Sequence, residues 1–211
     1  MIEKRELQLP KYAQKKLAFI LDNVLTKDEC KSIIEQAENG FEDISMAPYP
    51  GRSGERCIID SKNQADWIWS RIKPFIPETW EGHAVIGPNE RLRILKYQKG
   101  DYFRPHMDGV YVRPDGSERS YITIQLYLNE GFSGGNTTFM SMNENEENVG
   151  VVPKTGSILV FQHDIWHEGS LLEDGIKYSM RTDIMYDNTK PKKESNLDDQ
   201  IVPTRCTKIN N

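Results

Sequence analysis

The sequence predicts a mainly β domain of the α+β class, with a helical flank over about residues 1–88 and a β-sandwich or barrel over about 89–187. Two observations carry this. Apolar residues recur at helical spacing in two stretches before Pro74, and after Pro88 the period shortens to brief alternating or continuous apolar runs between turn residues. Size agrees: 211 residues with 37% hydrophobic content can bury a core without disulfides or a structural metal. A metal-ligand set in such a chain is therefore read first as functional.

The elements follow in order. A short apolar run within Leu17–Leu25 suits a buried strand. Thr26-Lys-Asp-Glu29 is a capping box, with the threonine serving the amide three residues on and the glutamate reaching back, and it opens a helix with the stripe Cys30, Ile33, Ile34 and Ala37 before Gly40. The prolines and glycines of Ile44–Cys57 predict an irregular loop, and a loop this long in a compact domain is usually functional. A second helix starts at Asp60 or Ser61, turns Ala65, Ile68, Trp69 and Ile72 to one face, and ends at Pro74 and Pro77. Strands are predicted at Leu92–Tyr97, Tyr121–Asn129, Thr137–Met140, Ser157–Phe161 and Lys177–Tyr186. Residues 188–211 read as a loosely ordered polar tail, with Ile201 and Val202 able to dock it.

Charge and cysteine content exclude several classes. With 27 basic and 32 acidic residues the net charge is -5, which argues against a nucleic-acid or anionic-membrane surface. Cys30, Cys57 and Cys206 fit neither a disulfide framework nor a Cys-x-x-Cys zinc site and read as reduced thiols. The charged N-terminus does not resemble a signal peptide, and no apolar stretch approaches a membrane span, so a soluble cytoplasmic protein is expected.

The chemistry concentrates in four histidines, His83, His106, His163 and His167. His106-Met-Asp108 places two ligands on one face if the segment is extended. His163 and His167 lie just past a strong strand candidate, and either completes two histidines and a carboxylate. That is the facial triad of non-haem Fe(II) oxygenases, which leaves positions open for cosubstrate and O2. Zinc with a bound water is the chemical rival.

Tyr97-Gln-Lys-Gly-Asp-Tyr102-Phe-Arg-Pro-His106-Met-Asp108, then Tyr127-Leu-Asn129, Gly134-Gly-Asn-Thr-Thr-Phe139 and His167-Glu-Gly169 followed by Lys177, resemble the prolyl 4-hydroxylase branch of the Fe(II)/2-oxoglutarate-dependent oxygenases. The resemblance is close over about residues 90–186 and looser over 17–40. It implies a double-stranded β-helix of the jelly-roll, cupin-like kind, with Fe(II), 2-oxoglutarate, O2 and ascorbate as reductant. It implies His106, Asp108 and His167 as metal ligands, with His163 in a supporting role. Lys177 becomes the anchor of the distal carboxylate of 2-oxoglutarate, since burying that charge unpaired costs several kcal/mol. Tyr127 would hydrogen-bond the same carboxylate, and Tyr97 would lie near the metal end. Arg181 departs from the pattern, and faces substrate, braces Asp183 or pairs the cosubstrate's other end. It sits roughly 13 Å along the strand from Lys177, too far for both to share one carboxylate equally. Tyr102 and Thr138 are further candidate contacts.

The implied reaction hydroxylates an unactivated C–H bond and releases succinate and CO2. Substrate choice falls to the unmatched loops: Arg52 in the first, and Tyr111, Arg113 and Arg119 in Gly109–Ser120. The resemblance favours a prolyl residue in a protein or peptide; a free amino acid or other small molecule is the alternative. A non-catalytic ligand-binding barrel or a zinc hydrolase ranks below both.

Overall fold

Alternate residues of the central strands enter two different cores, so both faces of one sheet are covered. Phe19 and Leu21 pack on one side and Ala18 and Ile20 on the other; Ile158 and Val160 divide from Leu159 and Phe161 in the same way. The computed structural model describes residues 1–45 and 51–189. In chain order it contains β1 (Glu3–Glu6), β2 (Ala18–Asp22), α1 (Lys27–Ala37), β3 (Glu42–Asp43), β4 (Glu55–Asp60), α2 (Lys62–Ile72), β5 (Thr79–Trp80), β6 (His83–Pro88), β7 (Arg91–Gln98) and β8 (Phe103–His106). There follow β9 (Glu118–Tyr127), β10 (Ser133–Gly134), β11 (Thr137–Phe139), β12 (Val149–Val151), β13 (Ile158–Gln162), β14 (His167–Gly169), β15 (Leu172–Asp174) and β16 (Ile176–Asp187).

The major sheet runs β1-β2-β13-β9-β16-β7-β4-β3, and a smaller sheet runs β12-β11-β14-β8. Their pairings are antiparallel. Both helices contribute to the core that lies on the outer face of the major sheet, where Ile33, Ala37, Ile68 and Ile72 meet Leu92, Ile94, Ile122 and Ile124. The opposite faces of β7, β9 and β16 are left to the inner cavity. The Thr26–Glu29 capping box forms as the sequence predicts, and Arg71 of α2 grips the Glu29 carboxylate with Nη1 and Nη2 at 2.8 and 2.6 Å. That fork draws Glu29 down to about 2 and locks the two helices together.

Two expectations need correction. The flank before residue 88 is not merely helical, because β1, β2, β3, β4 and β6 belong to the major sheet. β1 is exposed throughout and β4 carries charges at both ends, so neither shows the apolar alternation that marks a strand. The predicted loop through Cys57 gives way at Glu55 to β4, which pairs with β7 from Glu55–Lys96 to Asp60–Arg91. Residues 46–50 of that loop, and the tail from 190 with Ile201, Val202 and Cys206, lie outside the described residues. Cys30 and Cys57 are buried free thiols. Among the described residues no helix is long and apolar enough to cross a membrane.

Candidate metal centre

β8 and β14 are neighbours in the small sheet, and their register sets His106 directly opposite His167. Side chains of such a pair leave the sheet on the same face a few ångströms apart, and the two rings have centroids 4.3 Å apart. Asp108 follows β8, its amide donating to the His163 carbonyl at 2.9 Å. The three side chains each offer a ligand atom, and these atoms lie within 4.8 Å of one another.

The histidines are oriented by their backbones. His106 Nδ1 lies 2.8 Å from the Arg104 carbonyl, and His167 Nδ1 lies 2.9 Å from the Ile165 carbonyl. A carbonyl only accepts, so each Nδ1 carries a proton and each Nε2 is the ring atom left for a ligand. Those Nε2 atoms face Asp108, at 3.7 Å for His106 and 3.9 Å for His167. Burial draws His167 down to about 4, more than the Asp108 charge raises it, so its ring is neutral. Burial opposes ionisation of Asp108, but Arg181 at 3.1 Å, His106 and the Thr123 hydroxyl outweigh it and hold the carboxyl below its ordinary range. Two imidazoles and an ionised carboxylate with open space before them fit a divalent ion.

His163 does not join this group. It is buried, its carbonyl holds the Asp108 amide, and its Nε2 lies 3.5 Å from Asp183 Oδ1. Asp183 also meets Arg181 at 3.0 Å and Arg93 at 3.5 Å. Arg181 therefore bridges Asp183 and Asp108, as the bracing role requires, and it also lines the cavity.

The same cavity extends away from the histidines to Lys177. Cross-strand register sets Lys177 opposite Tyr97, and the ammonium lies 5.4 and 5.8 Å from the Tyr97 and Tyr127 ring centres. Its hydrogen bond goes to the Gly135 carbonyl, and no ion pair reaches it among the described residues. Burial brings it down to about 8 and pushes Tyr97 up to about 12. The Gly134-Gly135 corner requires glycine, because both have positive φ, +74° and +66°. A Cβ on Gly135 would stand 2.8 Å from Leu172 Cδ1 and 3.3 Å from Lys177 Cδ.

Other expected residues fall elsewhere. Thr138 turns away to Ser170 Oγ at 2.8 Å, while Thr137, not foreseen, lines the cavity and accepts the Tyr127 hydroxyl at 2.8 Å. The choice fell one residue off, and in a strand one residue reverses the face. Tyr102, Tyr111, Arg113 and Arg119 do not line the cavity. Arg113 is clamped by Glu90 at 2.6 Å and by Glu118 at 2.9 Å; Arg119 lies 5.2 Å over the Tyr121 ring. Arg52 does line it, and so do Arg56, Arg93, Leu95, Phe103 and Gln125, which sequence reading missed. The alternation of Arg91–Gln98 held a signal for two of them, since 93 and 95 share a face with Tyr97.

Residues 92–182 match the model of the 2OG-Fe(II) oxygenase superfamily, and that stretch holds all three ligand candidates and Lys177. Members of this superfamily use Fe(II), 2-oxoglutarate and O2. A protein of Acanthamoeba polyphaga mimivirus, provisionally described as a prolyl 4-hydroxylase, is 26% identical to this chain over 157 residues, 68% of this chain and 59% of its own length. The chain thus spans about 59% of that relative. Three solved structures share the fold. They are the viral collagen prolyl hydroxylase of Paramecium bursaria chlorella virus-1 (TM-score 0.60, 20% identity, covering 82% of this chain and 98% of that one), a Pseudomonas putida prolyl-4-hydroxylase (0.59, 18%, 82% and 94%), and a Trichoplax adhaerens prolyl hydroxylase in complex with a hypoxia inducible factor peptide fragment (0.61, 17%, 83% and 86%). At these identities they establish the fold of the chain alone, a double-stranded β-helix core, as the resemblance implied.

Proposed function

We propose that this chain is an Fe(II)- and 2-oxoglutarate-dependent dioxygenase that hydroxylates an unactivated C–H bond, with a prolyl residue of a protein or peptide as substrate and succinate and CO2 as co-products. The observation that carries the reading is one cavity with His106, Asp108 and His167 at one end and the unpaired, buried Lys177 at the other. A zinc hydrolase has no use for that second cation. A buried ammonium without a carboxylate is costly unless a ligand supplies one, and the distal carboxylate of 2-oxoglutarate is such a ligand.

His106 Nε2, His167 Nε2 and an Asp108 oxygen would hold the ion on one side. Bound there, Fe(II) with 2-oxoglutarate supplies the oxidising chemistry. The protein's own residues position and protect. Backbone carbonyls fix both histidine tautomers, Thr123 and Arg181 keep the carboxylate ionised and aimed, and His163 anchors its backbone. Lys177, between the Tyr97 and Tyr127 rings, orients the cosubstrate along the cavity, and Phe139 and Phe161 pack beside His167 to exclude water. No general base is required.

The prolyl substrate is supported by the mimivirus relative and by the likeness to prolyl hydroxylases, one of them in complex with a peptide fragment. The test is succinate formation with Fe(II), 2-oxoglutarate and ascorbate, screened against proline-containing peptides, free proline and other amino acids, with mass detection of a gain of about 16 Da, the mass of one oxygen atom in a C–H to C–OH conversion. Turnover of peptides supports the prolyl reading. Turnover of free amino acids but no peptide overturns it in favour of a small-molecule substrate.

A further inference from the structure

Five cationic side chains, Arg52, Arg56, Arg93, Lys177 and Arg181, line the cavity against two carboxylates, Asp108 and Glu168. In a chain of net charge -5 this concentration is local. Three of the cations have occupations already described. Arg93 and Arg181 hold Asp183 and Asp108, and Lys177 awaits the cosubstrate.

Arg52 and Arg56 are left over. Among the described residues neither is in an ion pair, and the buried Arg52 Nε has no hydrogen-bond partner. Their placement is set by backbone pairing. Arg52 bridges to Phe103 at the start of β8, and its guanidinium lies 5.6 Å over the Phe103 ring, which stacks on His106 at 3.7 Å. One aromatic ring thus separates Arg52 from a candidate ligand. Arg56 on β4 stands opposite Leu95, and Leu95 opposite Ser179, beside the Arg93–Arg181 row. Burial, then the neighbouring Arg56, lowers Arg52 from its ordinary value. Two guanidiniums in one half-buried cleft, neither in an ion pair among the described residues, are unfavourable until a ligand provides an anion. The planar fork of arginine matches a carboxylate with two parallel hydrogen bonds.

We infer that the substrate carries a carboxylate, and that Arg52 and Arg56 receive it at the cavity mouth, directing the carbon to be hydroxylated toward His106, Asp108 and His167. The inference rests on the oxygenase reading and narrows its substrate. The carboxylate comes either from an acidic residue flanking the target in a peptide or from the main-chain carboxylate of a small molecule.

Two matched series test it with the full chain. One is an end-capped proline peptide with glutamate or with glutamine beside the proline; the other is free amino acids against their primary amides. Binding to the protein loaded with Mn(II) and 2-oxoglutarate is read by calorimetry, and turnover by succinate with Fe(II). A charge-assisted pair is expected to favour the carboxylated member of at least one series by about tenfold or more. In Arg52→Gln/Arg56→Gln the preference falls to near unity, and in Arg52→Lys/Arg56→Lys it is partly restored; thermal melting of both variants excludes misfolding. Equal binding of carboxylated and neutral members, no binding by any carboxylated member, or a preference that survives the glutamine variant overturns the inference. So does a glutamine variant that loses 2-oxoglutarate binding instead, because the two arginines would then serve the cosubstrate. Failure of the oxygenase reading shows separately, as carboxylate-selective binding without succinate.

Discussion

Replacing Lys177 by methionine removes the buried ammonium and keeps most of the side chain's volume. The protein before binding should become more stable and should lose its response to 2-oxoglutarate. Burial brings Lys177 from 10.5 down to about 8, and at about 1.4 kcal/mol per unit this is a cost on the order of 3 kcal/mol at neutral pH. Against it stand the hydrogen bond to Gly135 and the two tyrosine faces, together about 2 kcal/mol. The difference, about 1 kcal/mol, raises Tm by about 2–4 °C in a domain of this size. The sign with pH follows from linkage. The folded-state value lies below the unfolded one, so the unfolded chain holds the extra proton between pH about 8 and 10.5. The cost is complete below that window and gone above it, so the gap between variant and wild type closes as pH rises through it. With Mn(II) present, 2-oxoglutarate at about a hundredfold excess over Kd adds about 2.7 kcal/mol to the wild type. The variant, without the charge-assisted contact, binds about 10–100-fold more weakly and shows little shift. Thermal melts at pH 7 and across the window, with and without 2-oxoglutarate, give all four numbers. A variant less stable than wild type in the absence of ligand, yet shifted equally by 2-oxoglutarate, would refute the reasoning.

His167→Ala and His163→Ala should separate cleanly in equilibrium Fe(II) binding, the first losing the ion and the second retaining most affinity; equal losses would sink the assignment. Gly135→Ala forces a left-handed backbone and a contact of 2.8 Å with Leu172, so it should lower Tm and weaken 2-oxoglutarate binding while leaving Fe(II) binding near wild type, and an unchanged cosubstrate affinity would contradict the cradle. Arg113→Ala breaks the clamp to Glu90 and Glu118, and because the groups are partly exposed the expected loss is only about 1 kcal/mol, with no change in KM for any substrate; an altered KM would return Arg113 to the substrate site.

The legible parts of the site were those set by local geometry. His106-x-Asp108 works because extended backbone repeats every two residues, while Lys177 and Arg181 both stood out as basic residues of one strand and the family resemblance, not local geometry, selected Lys177. The illegible parts depend on long-range pairing. β8 and β14 carry the two histidines in strands of four and three residues, too short to announce themselves by alternation. Thr137 replaced Thr138 because the face of β11 is decided by its partners β12 and β14. Arg56 and Arg93 converge on the cavity only because β4 joins the sheet beside β7, and β4 reads as polar loop until that pairing is known. For Arg181 the sequence offered three roles, and its bridge between Asp108 and Asp183 became visible only with the positions of those two carboxylates.

Anaerobic titration of the Fe(II)-loaded protein with 2-oxoglutarate tests the central claim most directly. The account predicts a weak visible charge-transfer band that saturates with cosubstrate and is absent in His106→Ala and His167→Ala. No band at saturating 2-oxoglutarate, or an undiminished band in either variant, would contradict it.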